Sequence, residues 1–182
     1  MNPPSASAAT DRVCRTVTKT SRSNFAYAFL VLPKPKREAL YAIYAFCRIS
    51  DDVVDEAPSA APGDMFAGLA TPTERLRAWR GELDACFRGA SRHPVMRRLA
   101  EVLKAIAIPR VYFDELLNGV EMDLAKTRYA TFAELERYCY RVAGVVGLMC
   151  IEVFGYTRPE TRCYAEHLGT AFQLTNILRD VG

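Results

Sequence analysis

The sequence has few of the residues that mark a thiolate metal site, a disulfide framework or a nucleotide-binding domain. It contains two histidines and six cysteines, and no cysteines form a C-x-x-C pair, which argues against a zinc site. No strand–GxGxxG–helix unit is found, so no NADPH site is evident. Lys and Arg exceed Asp and Glu by only 24 − 21 = 3 residues, which excludes nucleic acid as the expected partner.

Two kinds of apolar segment are also missing. The first ten residues lack the basic and apolar regions of a signal peptide, and the apolar run 142–151 is too short to cross a bilayer. We therefore expect a cytoplasmic protein that makes at most peripheral contact with the inner membrane face. Half of the residues are hydrophobic, which is enough for a single domain over 1–182, with residues 1–12 expected to be disordered.

Helix signals dominate the rest of the chain and predict an all-α fold. Proline and capping-box patterns mark helix starts, whereas alternating strands with hairpin turns are missing. The starts are expected at Pro35, Pro94, Pro109, Thr71-x-x-Glu74, Thr131-x-x-Glu134 and Thr157-x-x-Glu160. These signals predict about seven helices.

The helix predicted from Pro35 to about Asp55 carries an unusual polar stripe. Its members, at positions i, i+4, i+7 and i+11, are Tyr44, Arg48, Asp51 and Asp55. One interpretation is a solvated helix face with Arg–Asp pairs, which the spacing alone favours. The other is a magnesium site, because two carboxylates one turn apart can share a cation with substrate phosphates. Asp52 lies off the stripe.

A second polar stripe lies near the end of the chain. Gln173, Asn176 and Asp180 lie at i, i+3 and i+7 of an otherwise apolar helix, and their oxygen atoms suit a hard cation. Alone, the segment is equally well explained as an amphipathic surface helix. Together, the two stripes suggest facing helices around a cavity, which is how ligand sites are built in helical folds.

With these stripes, the sequence resembles the squalene and phytoene synthase family. The resemblance implies an all-α isoprenoid synthase bundle around a central cavity. Residues 44–56 resemble the first aspartate-rich motif of the family, 138–147 its central motif and 173–180 the start of its second aspartate-rich motif. Residues 21–33 resemble its substrate flap. The resemblance covers nearly the whole chain after about Arg15.

The resemblance implies a prenyltransferase that depends on Mg²⁺, with Mn²⁺ as a substitute. It implies metal ligands at Asp51, Asp55, Gln173, Asn176 and Asp180. It implies substrate-binding residues at Ser21, Ser23, Phe25, Phe29, Tyr44, Arg48, Val142 and Arg179. Tyr138 would join Asp51 and Asp55 as catalytic, by orienting a diphosphate or assisting proton transfer. Phe25 and Phe29 would face a carbocation, although their spacing is equally typical of core aromatic residues.

Within the family, the segment 119–147 most resembles bacterial presqualene diphosphate synthases. It implies condensation of two farnesyl diphosphates to presqualene diphosphate and diphosphate, in squalene and hopanoid biosynthesis. An alternative is phytoene synthesis from geranylgeranyl diphosphate, in carotenoid biosynthesis. An alternative of another class is a non-catalytic helical protein that binds prenyl lipids or a partner. Enzymes that act later in the pathway are further candidate partners.

The end of the chain departs from the family pattern. The second aspartate-rich motif has a further Asp four residues after the position of Asp180, whereas this sequence stops at Gly182. We therefore expect a C-terminally truncated domain that lacks the last helices of the bundle. We also expect residues 1–182 alone to be inactive or nearly so.

Overall fold

The computed structural model describes residues 6–20, 25–55, 64–126 and 128–181. The regular structure of these residues is helical, without strands, as the sequence predicted. The α-helices are α1 (Ala6–Thr20), α2 (Phe25–Leu30), α3 (Lys34–Asp55), α4 (Pro72–Phe87), α5 (Pro94–Ala105), α6 (Arg110–Ala125), α7 (Phe132–Cys139), α8 (Val145–Phe154) and α9 (Glu160–Val181). A π-helical turn, Tyr140–Gly144, joins α7 to α8. Among these residues, no helix combines the length and the apolar character that a membrane span needs.

The chain divides into two compact units, Met1–Ile106 and Ala107–Gly182, where the sequence predicted one domain over 1–182. In the first unit, α1, α4 and α5 pack around α3. In the second unit, α6, α8 and α9 pack around the π-helical turn. The division describes compactness within each unit, and the single domain stays a prediction.

Helix α1 occupies part of the segment that was expected to be disordered. It begins at Ala6, and its Thr10, Cys14 and Thr18 are buried at successive turns. Arg98 of α5 forms an ion pair with Asp11 of α1. Residues 6–12 are therefore helical, whereas the sequence predicted disorder there. The helix was not predicted because two of its buried positions hold polar threonines instead of apolar residues. Residues 1–5 lie outside the described part of the chain.

Most of the predicted helix starts are confirmed. The Thr71 hydroxyl accepts a hydrogen bond from the Glu74 amide at 3.2 Å, and the Glu74 carboxylate accepts one from the Thr71 amide at 3.0 Å. Thr131 caps α7 through its hydroxyl in the same way. The predicted start at Thr157 is wrong: α9 begins at Glu160, so Thr157 lies outside the helix. Pro159 precedes that first residue and supplies no side-chain cap.

Close backbone approach holds the second unit together. A Cβ atom added at Gly147 would lie 2.5 Å from the Ala165 carbonyl oxygen, and one at Gly169 would overlap the Ala143 carbonyl oxygen. Only glycine lets α9 pack this tightly against α8 and the π-helical turn.

We predict that Gly169→Ala lowers the free energy of unfolding by about 1–3 kcal/mol, because the new methyl group would overlap backbone that cannot move aside. Thermal or urea unfolding measures this change. The matched control is Gly81→Ala in α4, where a Cβ atom meets nothing within 4 Å. That variant should gain about 0.5–1 kcal/mol through helix propensity. Equal effects of the two substitutions would contradict the packing argument.

Candidate active site

The C-terminal end of α3 carries the first set of candidate residues. Asp51 and Asp55 are exposed and lie one helical turn apart on the same stripe as Tyr44 and Arg48. Arg48 Nη2 lies 2.5 Å from Asp52 Oδ1, so its ion pair is with the aspartate that lies off the stripe. Within the motif, Asp52 is thus half-buried and pairs with Arg48, whereas Asp51 and Asp55 are exposed.

The electrostatics of this helix end favour a bound cation. Asp51, Asp52 and Asp55 lie within the last five residues of α3, and the last turn has no basic residue. The C-terminal end of a helix carries a partial negative charge, and each added carboxylate there costs about 0.3–1 kcal/mol. The partly exposed Arg48–Asp52 pair offsets little of this repulsion, since exposed pairs contribute about 0.2–1 kcal/mol.

The donor set at this end of α3 suits Mg²⁺. Asp51 and Asp55 offer only oxygen atoms, which Mg²⁺ prefers, and both are accessible. Among the described residues, no three or more His, Cys, Asp or Glu side chains come together as a metal site. Mg²⁺ commonly binds through one or two carboxylates and completes its octahedron with water and substrate phosphates. Two exposed carboxylates are therefore sufficient protein ligands on this helix.

The aromatic residues of the predicted substrate site pack beside the stripe. The Phe29 ring is 9% exposed and contacts the Tyr41 and Tyr44 rings edge to face, with centroids 5.6 Å and 6.4 Å apart. The structure thus brings the rings of Phe29 and Tyr44 together, an arrangement compatible with core packing and with stabilisation of a carbocation. Ser21 and Ser23 lie outside the described residues, as does the side chain of Phe25.

In the second unit, Tyr138 lies at the end of α7 beside the π-helical turn. Its ring stacks on that of Tyr129, with centroids 5.2 Å apart and planes at 30°. Burial raises the pKa of Tyr129 to about 12, and nearby Asp123 adds to the effect. Tyr129 was not identified from the sequence, because a tyrosine before a capping threonine carries no distinguishing pattern.

The π-helical turn itself contains Val142 and is fixed from α6. Arg141 Nε donates to Glu115 Oε2 at 2.8 Å, and a Cβ atom at Gly119 would lie 2.8 Å from Val142 Cγ1. π-Helical turns are frequent at functional sites, since the extra residue changes which side chains face a cavity. Glu115 was not predicted from the sequence, because its partner Arg141 lies 26 positions away.

The second polar stripe lies on α9. Gln173 is half-buried, whereas Asn176 and Asp180 are exposed. The stripe continues the face of Gly169, which packs against the π-helical turn, so it extends from the closely packed part of this unit. Arg179 Nε donates to Asp180 Oδ1 at 2.8 Å, and this hydrogen bond lowers the pKa of the Asp180 carboxyl.

Comparison with known proteins identifies a family. Residues 18–182 match the family model described as squalene/phytoene synthase. The chain is 37% identical over 183 residues to a phytoene synthase of Arthrospira platensis, covering 93% of this chain and 56% of that protein. It is 37% identical over 160 residues to a presqualene diphosphate synthase of Rhodopseudomonas palustris, covering 87% of this chain and 54% of that protein.

A solved structure is also similar. The squalene synthase HpnC from Alicyclobacillus acidocaldarius matches with a TM-score of 0.85 and 28% identity, covering 98% of this chain and 64% of that one. This likeness confirms the all-α isoprenoid synthase fold that the sequence predicted. The chain spans about half the length of the curated relatives described above.

We predict that Asp55→Asn raises the free energy of unfolding by about 0.3–1 kcal/mol when no metal is present, because it removes a negative charge from the negative end of α3. Urea unfolding at low ionic strength measures the change. The control is Asp114→Asn near the start of α6, which removes an aspartate 3.2 Å from Arg110 and should be neutral or destabilising. A loss of stability in Asp55→Asn would contradict the electrostatic argument.

Proposed function

This chain belongs to the squalene/phytoene synthase family, and we propose on that basis that the protein condenses two prenyl diphosphates head to head. The observation that carries the proposal is the pair of exposed carboxylates, Asp51 and Asp55, at the negative end of α3. They lie within the part of the chain that the family model matches, and their position suits a cation that binds diphosphate.

On α3, Asp51 and Asp55 would bind Mg²⁺, and the family resemblance implies further ligands on α9 at Gln173, Asn176 and Asp180. Mg²⁺ supplies positive charge that stabilises the leaving diphosphate. Arg48 and Arg179 would bind diphosphate oxygens through their guanidinium groups, which requires each to exchange its aspartate partner for phosphate. Ser21, Ser23 and Tyr44 would add hydroxyl donors to the same groups.

The proposed reaction begins when the C–O bond of one prenyl diphosphate breaks and diphosphate leaves. The double bond of the second substrate attacks the allylic cation, and loss of a proton closes a cyclopropane ring. The products are presqualene diphosphate and diphosphate. Because the carbocation would react with water, it needs apolar surroundings, for which Phe25 and Phe29 are the candidates in the first unit and Val142 in the second. Tyr138 would orient a diphosphate or assist proton transfer.

We propose farnesyl diphosphate as the substrate, supported by the likeness to the Rhodopseudomonas palustris presqualene diphosphate synthase. A second candidate is phytoene synthesis from geranylgeranyl diphosphate, which the likeness to the phytoene synthase of Arthrospira platensis favours. The two candidates share the first condensation and differ in chain length and product.

The natural full-length protein, incubated with Mg²⁺ and farnesyl diphosphate, should release diphosphate and form presqualene diphosphate. Chromatography with mass detection identifies the product. Removal of Mg²⁺ by a chelator should abolish turnover, and Asp51→Asn should lower it on the order of 100-fold, because charge on the leaving group is no longer stabilised. The control Asp84→Asn, on α4 outside the proposed site, should retain turnover.

If geranylgeranyl diphosphate were turned over to phytoene and farnesyl diphosphate were not turned over, the farnesyl assignment would be contradicted and the second candidate supported. Failure of both substrates in the presence of Mg²⁺ would contradict head-to-head condensation itself. In that case, binding of a prenyl lipid without turnover would support the non-catalytic alternative.

A further inference from the structure

Helix α4 contributes a buried arginine to the end of α3. Arg75 is 4% exposed, and its Nε donates to the Val53 carbonyl oxygen at 2.9 Å. Val53 lies between the two aspartates of the stripe, among the last four residues of α3. The carbonyl groups of those residues have no amide partner within their own helix. Arg75 therefore satisfies one acceptor at the helix end that carries Asp51 and Asp55.

The position of Arg75 is unfavourable for its own helix. It is the fourth residue of α4, close to the positive end of the helix dipole, and burial of a guanidinium group is costly without partners. The capping box of Thr71 and Glu74 fixes this first turn and directs Arg75 toward α3. The arrangement places the cation where α3 has three aspartates and no basic residue in its last turn.

A second donor from α4 reaches α3 one turn away. Trp79 Nε1 donates to Ser50 Oγ at 2.9 Å, and Ser50 Oγ donates to the Phe46 carbonyl oxygen at 2.8 Å. The Trp79 ring also stacks on the ring of Phe46, with centroids 5.9 Å apart and planes at 19°. Trp79 and Ser50 are fully buried, so neither group exchanges this partner for water.

Both contacts are made to buried residues of α3. Ser50 and Val53 are 0% and 3% exposed, whereas Asp51 and Asp55 are exposed. The two donors therefore fix the rotation and the last turns of α3 from its buried face and leave the carboxylates accessible. A metal site needs this support, because small errors in ligand direction weaken binding.

We propose that Arg75 and Trp79 are positioning residues for the candidate site at Asp51 and Asp55, an inference that rests on the proposed function. Their hydrogen bonds to the Val53 carbonyl and the Ser50 hydroxyl hold the end of α3 in the orientation that binds a divalent cation with diphosphate. Neither residue contacts substrate or metal in this role.

The test measures binding directly on the natural full-length protein. Bound Mn²⁺ is followed by electron paramagnetic resonance in the presence of inorganic diphosphate, and the thermal shift caused by Mg²⁺ with diphosphate is followed in parallel. Arg75→Lys keeps the positive charge but loses the Nε donor, and we expect it to weaken Mn²⁺ binding about 10-fold. Trp79→Phe keeps the stack on Phe46 but loses the indole N–H, and should weaken binding in the same direction.

The matched control is Arg98→Lys. Arg98 also joins two helices of the first unit by ion pairs, but its partners, Asp11 and Glu101, lie on α1 and α5. It should bind Mn²⁺ as the unmodified protein does. Unchanged Mn²⁺ binding in both Arg75→Lys and Trp79→Phe would overturn the inference but not the proposed function. Equal weakening of Mn²⁺ binding in Arg98→Lys would do the same. No binding of Mn²⁺ with diphosphate by the unmodified protein would instead overturn the proposed function, and the inference with it.

Discussion

The repulsion between three aspartates and the negative end of their own helix is the constraint on which the candidate site depends. Asp51, Asp52 and Asp55 occupy a position where carboxylates destabilise a helix, and the last turn of α3 has no basic residue. A sequence selected for stability alone would place lysine or arginine there. Local rules are commonly broken at functional sites and compensated elsewhere, which agrees with the cation site proposed at this helix end.

Helix α4 supports this helix end through two hydrogen bonds. Arg75 and Trp79 donate to the buried residues Val53 and Ser50, and Asp51 and Asp55 remain exposed. The aromatic stack of Trp79 on Phe46 buries a large apolar area at the same place. Hydrophobic packing and hydrogen bonding thus fix one face of the helix, and the other face stays available for a ligand.

The sequence predicted local features well and long-range contacts poorly. The stripe from Tyr44 to Asp55 follows from helical spacing alone, and proline and capping patterns located α4, α5 and α7. Helix α1 was missed because its buried face contains threonines that bond to carbonyls of their own helix, as Thr18 does to Cys14. Arg75 was missed because its partner lies 22 positions away, a separation that no periodic pattern encodes.

The two polar stripes differ in a way that bears on how each would hold a cation. On α9, Asp180 lies beside Arg179, which forms two hydrogen bonds to its carboxylate and lowers its pKa. That stripe otherwise consists of neutral amides, so its local charge is close to zero. On α3, three aspartates lie within the last five residues, and the last turn has no basic residue. Negative charge therefore dominates the stripe on α3, whereas neutral oxygen donors dominate the stripe on α9.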